Sequence, residues 1–158
     1  SVTYPAFTAI AAPEVQNKLN GDFAIIAGPY LQNLATGGCE LDYTLTFVSE
    51  KFISMVFFGV LDEGEKEIFA KIPLNIDVQT GAQLALGDVL NLRDADLLPV
   101  LRLLTKKDMV DFSKGIPESW YYNGTNFVFC QRSETGEWLE ATVAASDLKK
   151  FLLKPELF

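Results

Sequence analysis

Three consecutive strand-like runs between residues 39 and 76 constrain the fold of this chain most strongly. Cys39–Ser49 alternates apolar with polar residues and predicts a strand with one buried face. Phe52–Leu61 is apolar along most of its length, which favours a strand covered on both faces. Glu67–Ile76 follows as the third run, and short turns join all three. This pattern predicts an antiparallel meander sheet.

The stretch Ile72–Leu90 changes its structural period three times. Its first residues continue the alternation of the third strand. Gln79-Thr80-Gly81 then predicts a turn, in which Gly81 is free to take a positive φ and Asp77 sets the turn. Asp88 is typical of the cap of a short helix. Nothing in this stretch is a catalytic signature.

Helical patterns lie on both sides of the sheet region. Apolar residues recur every three or four positions from Pro13 to Leu34, which predicts an amphipathic helix over one sheet face. Pro29 should either kink this helix or split it into two, because proline removes one backbone hydrogen bond. Asp94 and Asp96 supply capping carboxylates for a second helix, which we expect to end near Lys114.

The carboxy-terminal part predicts an aromatic hairpin over Trp120–Phe129, with Asn123-Gly124 as its turn. A strand over Trp138–Ala144 and a closing helix over Asp147–Leu153 follow. The expected class is α+β: an antiparallel meander sheet covered by a kinked amino-terminal helix, then a second helix, an aromatic hairpin and a carboxy-terminal helix. We expect one compact unit over 1–158, with a helix-plus-hairpin subregion at 1–64 and a second subregion at 65–158.

Charge narrows the choice of partners. The chain has 13 basic and 21 acidic residues and a net charge of −8. Such a surface repels nucleic acid and anionic membranes unless a basic patch is segregated, whereas it permits a basic protein partner. We interpret the pairs Lys106-Lys107 and Lys149-Lys150 as solvated helix faces. No apolar run approaches the length of a transmembrane helix, and no signal peptide opens the sequence.

The sequence contains no histidine, which removes the commonest general base, metal ligand and partner of a nucleophilic Ser or Cys. We therefore expect no cofactor and no metal site. Cys39 and Cys130 each fall in a predicted strand, so they form either a disulfide or two free buried thiols.

Three other groups of residues have both a chemical and a structural interpretation. Four aspartates could hold calcium, but they lack the spacing of a calcium-binding loop and better fit turns and caps: Asp77, Asp88, Asp94 and Asp96. Three glutamates could form an acid–base pair, but they better fit solvated charges near a hairpin tip: Glu63, Glu65 and Glu67. Four aromatics form either an exposed binding patch or core packing, with Tyr121 facing away from its neighbours: Trp120, Tyr121, Tyr122 and Trp138.

The chain resembles a bacterial domain family of uncharacterised biochemistry. This family occurs in the ectodomains of RsiV-type anti-sigma factors and as the non-catalytic domain of PdaC-type peptidoglycan deacetylases. Its pattern, Asn-x-Asp-x-x-Thr-Gly-x-x-Leu-x-Leu-x-Asp-Leu, is matched by Asn75, Asp77, Thr80, Gly81, Leu84, Leu86 and Asp88. The aromatic hairpin, the final strand and helix, and the amino-terminal segment are also similar to the family. The Gly-Gly-Ala-His loop usual before the Asn-x-Asp strand is absent from Gly59–Ala70.

The resemblance implies a non-catalytic domain outside the cytoplasm, secreted or anchored through a segment not in this sequence. RsiV-type ectodomains bind lysozyme, a basic protein, so the expected ligand is a basic protein or peptidoglycan. An accessory domain without a ligand of its own is the first alternative. A carboxylate-based cell-wall hydrolase is the second, disfavoured because no nucleophile elbow or convincing carboxylate pair is present.

Overall fold

The computed structural model describes residues 1–8, 10, 12–33, 38–62 and 67–158. Its helices and strands, in chain order, are α1 (Pro13–Asn33), β1 (Cys39–Val48), β2 (Phe52–Asp62), β3 (Glu67–Asp77), α2 (Leu86–Val89), α3 (Leu97–Leu104), β4 (Ser119–Tyr122), β5 (Asn126–Arg132) and β6 (Trp138–Ala144). Short 3-10 helices lie at Phe112–Lys114, Ala145–Phe151 and Pro155–Leu157. The predicted α+β class is confirmed.

The first sheet has the strand order β1-β2-β3, with both pairs antiparallel. It is the predicted meander. One face packs against α1, whose Leu19 and Phe23 are fully buried, so the predicted cover is also confirmed. The helix continues across Pro29 to Asn33 without a break. Leu34, the predicted end of the apolar stripe, lies outside the described residues.

A close approach between α1 and β2 explains one glycine in the middle of a strand. An ideal Cβ on Gly59 would lie 2.0 Å from the hydroxyl oxygen of Tyr30 and 2.3 Å from Cζ. Tyr30 is buried in the same core, and burial raises the pKa of its hydroxyl. A side chain at position 59 would therefore displace a packed ring, and glycine is required there.

The second sheet has the order β4-β5-β6, again antiparallel throughout. The predicted turn at Asn123-Gly124 is present: Gly124 has a φ of 94°, and the Asn123 side chain accepts hydrogen bonds from two backbone N–H groups. Phe127 and Phe129 point into a second core, which also contains the buried residues of α2 and α3. The aromatic hairpin was thus predicted correctly.

Two helices differ from the prediction. α3 ends at Leu104 rather than near Lys114, and the hydroxyl of Thr105 donates a 2.7 Å hydrogen bond to the Leu101 carbonyl at this end. The chain then turns so that Phe112 packs edge-on against Phe129, with ring centroids 5.8 Å apart. The closing helix is a 3-10 helix over Ala145–Phe151 instead of an α-helix over 147–153.

The two sheets join through β4. Phe52 of β2 inserts into the second core and stacks on Trp120 at 6.2 Å. Beside it, the Ser54 hydroxyl accepts a hydrogen bond from Tyr122 N at 2.9 Å, and Asn75 Nδ2 donates to Trp120 O at 2.7 Å. Thr46 adds a third bond, from its hydroxyl to Tyr122 O at 2.7 Å. Side chains of the first sheet therefore satisfy the outer backbone edge of β4.

The predicted boundary between subregions falls in residues 63–66, outside the described part. β3, assigned to the second subregion, pairs with β2 along its whole length. The division at residue 64 stays a prediction.

Candidate binding groove between the sheets

The family-like motif residues have structural roles. Asp77 Oδ1 accepts hydrogen bonds from the backbone of Gln79 and Thr80, and Gly81 has a φ of 70°. Asp88 Oδ2 accepts a bond from Ala85 N at 2.8 Å and so caps α2. The Thr80 hydroxyl accepts a hydrogen bond from Ala82 N. Leu84 and Leu86 are buried in the second core, and Asn75 is buried between the sheets. The interpretation of Asp77, Gly81 and Asp88 as turn and cap residues is confirmed.

The capping carboxylates predicted for α3 are used differently. Asp94 Oδ1 accepts a hydrogen bond from Asp96 N at 2.9 Å, whereas the Asp96 side chain makes no capping bond. Instead, the Asp96 carboxylate lies 3.3 Å from Lys150 Nζ. Across the described residues, no group of three or more potential metal ligands comes together.

The four aromatics predicted as a possible patch divide between two faces of the second sheet. Trp120 and Tyr122 are core residues, so of the two predicted alternatives the structure has core packing for these two and they contribute nothing to an exposed patch. Tyr121 and Trp138 are partly buried and lie around the ammonium of Lys71. Strand alternation explains the division, because Tyr121 points to the face opposite that of its two neighbours.

Lys71 of β3 occupies a cage of aromatic rings. Its Nζ lies 5.6 Å from the ring centroid of Phe58, 5.6 Å from that of Tyr121 and 5.8 Å from that of Trp138. The same ammonium pairs with the carboxylate of Glu140, which also accepts hydrogen bonds from the Tyr121 hydroxyl. We call these five residues the Lys71 cage. It links the first sheet to β4 and β6 of the second.

The cysteines are free and buried, so of the two predicted alternatives the structure has the free thiols. Cys39 opens β1 of the first sheet, whereas Cys130 lies in β5 of the second. Burial, and then the charge of Glu140, raise the pKa of the Cys130 thiol to about 12. Burial and the same carboxylate also raise the pKa of the Tyr121 hydroxyl. Both groups therefore stay protonated at neutral pH.

A cavity of about 510 Å³ opens beside the Lys71 cage, between the first sheet and the β5–β6 turn. We call it the inter-sheet groove and define it by six lining residues: Glu40, Asp42, Phe58, Phe69, Arg132 and Trp138. The groove exists because the second sheet covers one end of the β2 face and leaves the other end open. At the covered end Phe52 and Ser54 are fully buried, whereas at the open end Phe58 is 43% exposed.

The walls of the inter-sheet groove combine carboxylates with exposed rings. Glu40 and Asp42 point from β1 to the exposed side, and Phe69 of β3 is 60% exposed. The guanidinium of Arg132 donates a hydrogen bond to the carbonyl of Phe69 and so ties the second sheet to this edge. Trp138 Nε1 is buried and has no hydrogen-bond acceptor among the described residues.

The acidic surface continues beyond the groove. An adjoining cavity of about 460 Å³ shares Glu40 and Phe69 with it and adds Asp62 and Glu67. Four carboxylates thus line the two cavities. Glu67 lies on this exposed end of β3, whereas Glu63 and Glu65, the other two members of the predicted acid–base group, fall outside the described residues.

Sequence reasoning missed this groove. Alternation in Cys39–Ser49 did place Glu40 and Asp42 on the polar face of β1, but no local signal connects them with Arg132 or Trp138, about 90 positions away. The prediction that both faces of β2 are covered is wrong at Phe58, which is exposed, and the apolar run itself gave no sign of this. No helix in the described part of the chain is long and apolar enough to cross a membrane.

The solved structures that share the fold of this chain include two DUF3298 family proteins. A DUF3298 family protein from Pseudomonas aeruginosa PAO1 aligns with a TM-score of 0.62 and 11% sequence identity, over 92% of this chain and 83% of that chain. A member of the DUF3298 family from Bacteroides fragilis NCTC 9343 aligns with a TM-score of 0.56 and 13% identity, over 89% of this chain and 66% of that one. No family model and no curated protein matches the sequence. The structural neighbours are thus DUF3298 family proteins, which indicate an uncharacterised domain fold.

Proposed function

We propose that this chain is a non-catalytic domain outside the cytoplasm whose inter-sheet groove binds a basic protein. The observation that carries the proposal is the combination of carboxylates and exposed aromatic side chains in two adjoining cavities. Glu40 and Asp42 line the inter-sheet groove with Phe58 and Phe69, and Asp62 and Glu67 line the adjoining cavity, which shares Glu40 and Phe69. Exposed aromatic residues next to charges of one sign are typical of a protein-binding site.

The charge of the groove selects the partner. Its two cationic side chains are already engaged within the protein, since Lys71 pairs with Glu140 and Arg132 bonds to the Phe69 carbonyl. The ammonium of Ser1, which also lines the groove, donates a 3.0 Å hydrogen bond to the Cys39 carbonyl. Residues 1–85, which include the first sheet, contain four basic and ten acidic residues. Complementary charge speeds the encounter with a basic partner and disfavours acidic ones.

The aromatic rings supply contact area. Phe69 and Phe58 lie on neighbouring strands of one sheet face, and Trp138 closes the opposite wall. A lysine or arginine of the partner can pair with Glu40 or Asp42 while its aliphatic stem covers a ring. Arginine is favoured further, because its planar guanidinium stacks on aromatic faces.

Two further features support the non-catalytic and extracytoplasmic parts of the proposal. The sequence has no histidine for general base catalysis. The resemblance of the Asn75–Leu90 stretch to RsiV-type and PdaC-type domains favours a place in the cell envelope and a partner such as lysozyme. An accessory domain without a ligand is the alternative, and it predicts a groove that binds nothing.

Calorimetric titration with lysozyme, and separately with soluble peptidoglycan fragments, tests the proposal. We expect saturable binding of lysozyme that weakens as the salt concentration rises. The double variant E40Q/D42N should weaken binding at least about tenfold, and F69S should weaken it by a similar factor. Exposed residues allow both changes without loss of the fold.

The matched control is E50Q/E156Q, which makes the same change in charge at exposed positions outside the groove. It should bind like the unaltered chain. Equal weakening in E50Q/E156Q and E40Q/D42N would show that binding depends only on the net charge of the protein, and it would reject the groove as the binding site. Binding of peptidoglycan without binding of lysozyme would mean that the ligand is a cell-wall component and not a basic protein. Binding of neither would favour the accessory alternative.

A further inference from the structure

A second exposed surface lies at the end of α3, over residues 102–109. Leu97 and Leu101 point into the core, so the opposite side of this helix should be polar. Instead Leu103 lies on that opposite side and is 60% exposed. Leu104, at the end of the core-facing stripe, is 42% exposed, and Met109 in the following turn is 74% exposed. The 102–109 surface is therefore apolar at a place where an amphipathic helix of a globular domain is normally polar.

Basic residues lie close to these apolar side chains along the chain. Lys106 and Lys107 are exposed. Arg102 is also exposed, and its guanidinium donates a 3.1 Å hydrogen bond to the Phe112 carbonyl. Two carboxylates adjoin them, and both accept hydrogen bonds from the backbone: Asp108 from Thr142 N and Asp111 from Ser113 N.

The distribution of charge along the chain points the same way. Residues 86–158 contain nine of the 13 basic residues, against four in residues 1–85. The acidic residues divide almost evenly, with eleven in the second part and ten in the first. Residues 86–158 therefore carry a net charge of −2, against −6 for residues 1–85, so an anionic surface repels the part of the chain that contains the 102–109 surface less strongly.

We propose that the 102–109 surface docks on an anionic lipid membrane, with Leu103, Leu104 and Met109 inserted among the headgroups. Lysine and arginine side chains next to inserted apolar groups reach the lipid phosphates, and each adds to the attraction. A fluid headgroup layer can close around projecting side chains, whereas a folded acidic partner would need a pocket of matching shape. This inference is independent of the groove and of its partner.

Co-sedimentation of the chain of residues 1–158 with lipid vesicles tests the docking proposal. We expect binding at low salt to vesicles of equimolar phosphatidylglycerol and phosphatidylcholine, and little binding to phosphatidylcholine alone. The variant K106E/K107E should lower the bound fraction at least about tenfold, because two attractive charges become repulsive. L103N/M109N should lower it by a similar factor while leaving the charge unchanged.

The matched control is K51E/K149E, which makes the same change in charge at two exposed lysines elsewhere. It should retain most of the binding, and circular dichroism melts should show that all three variants are folded. Failure to bind anionic vesicles, or equal loss in K51E/K149E and K106E/K107E, overturns the proposal. The proposal is also overturned if the chain binds both vesicle types and the L103N/M109N variant binds them as well as the unaltered chain does.

Discussion

The hydroxyl of Ser54 donates a 2.7 Å hydrogen bond to Oδ1 of Asn75, and both side chains are buried between the two sheets. Each also bonds the backbone of β4: Ser54 accepts from Tyr122 N, and Asn75 donates to Trp120 O. Through this pair, two side chains replace the neighbouring strand that β4 lacks on its outer edge. The relationship fixes the position of the second sheet and leaves the inter-sheet groove open beside it.

Replacing Ser54 or Asn75 by alanine should destabilise the protein by about 2 kcal/mol each, because a buried backbone group of β4 then loses its partner. The double variant should cost less than the two single losses together, since the residues share one hydrogen bond. Urea denaturation of the four proteins measures these values. S146A, at an exposed serine, serves as control and should stay within about 0.5 kcal/mol of the unaltered chain. Additive losses would contradict the coupling.

Replacing Gly59 by alanine should cost about 2–3 kcal/mol, because the added Cβ overlaps the buried ring of Tyr30. The second substitution Y30L should recover part of the loss in G59A by removing the ring. G28A is the control: no atom lies within 4 Å of a Cβ there, and alanine favours the helix. Thermal melts of the three variants give the comparison. An unchanged melting temperature in G59A would show that Tyr30 does not pack against β2 as described.

Replacing Lys71 by methionine should cost about 1–2 kcal/mol, since Glu140 then lies half-buried without its cation. We expect a smaller loss of stability than for a fully buried ion pair, because the side chains of Lys71 and Glu140 are 20% and 33% exposed and solvent screens their interaction. K71M/E140Q should recover part of the loss, because the unpaired charge is gone. A double-mutant cycle by urea denaturation measures the coupling, and a coupling energy of zero would remove the Lys71 cage as a link between the sheets.

Alkaline pH should destabilise the protein through Cys130. Its pKa is near 9 in the unfolded chain and about 12 in the folded one, so the unfolded state loses the proton first. The stabilisation is fully present below pH 9 and is lost as the pH rises towards 12. Between pH 8 and 10.5 this group alone should lower the free energy of unfolding by about 2 kcal/mol. C130A should show a shallower fall than the unaltered chain, and an equal fall in both would refute this origin.

Local patterns in the sequence predicted the parts of the fold that local physics decides. Alternation predicted β1, and the residues Asp77, Gly81 and Asp88 predicted a turn and a cap, because each acts on backbone groups within a few positions. The Asn123-Gly124 turn was predicted for the same reason. The length of α3 was wrong, since its end is decided by Thr105 and by the packing of Phe112 on a distant strand.

The candidate sites depend on contacts between distant residues and could not be predicted. Asn75 bonds the backbone 45 positions away, and Lys71 pairs with Glu140 across 69 positions. In the sequence each is a polar residue in a strand, with no sign of its partner. The exposed end of β2 has the same apolar composition as its buried end, so composition alone does not separate Phe58 from Phe52.

A residue-resolved nuclear magnetic resonance titration tests the central claim most directly. The labelled chain is titrated with unlabelled lysozyme, and backbone amide shifts are followed. We expect the largest shifts in residues 40–42, 58–60 and 69–71, around the inter-sheet groove, and the same set of shifted residues in E50Q/E156Q. An unchanged spectrum, or shifts confined to α1 or to residues 102–109, would contradict the claim that the groove binds a basic protein.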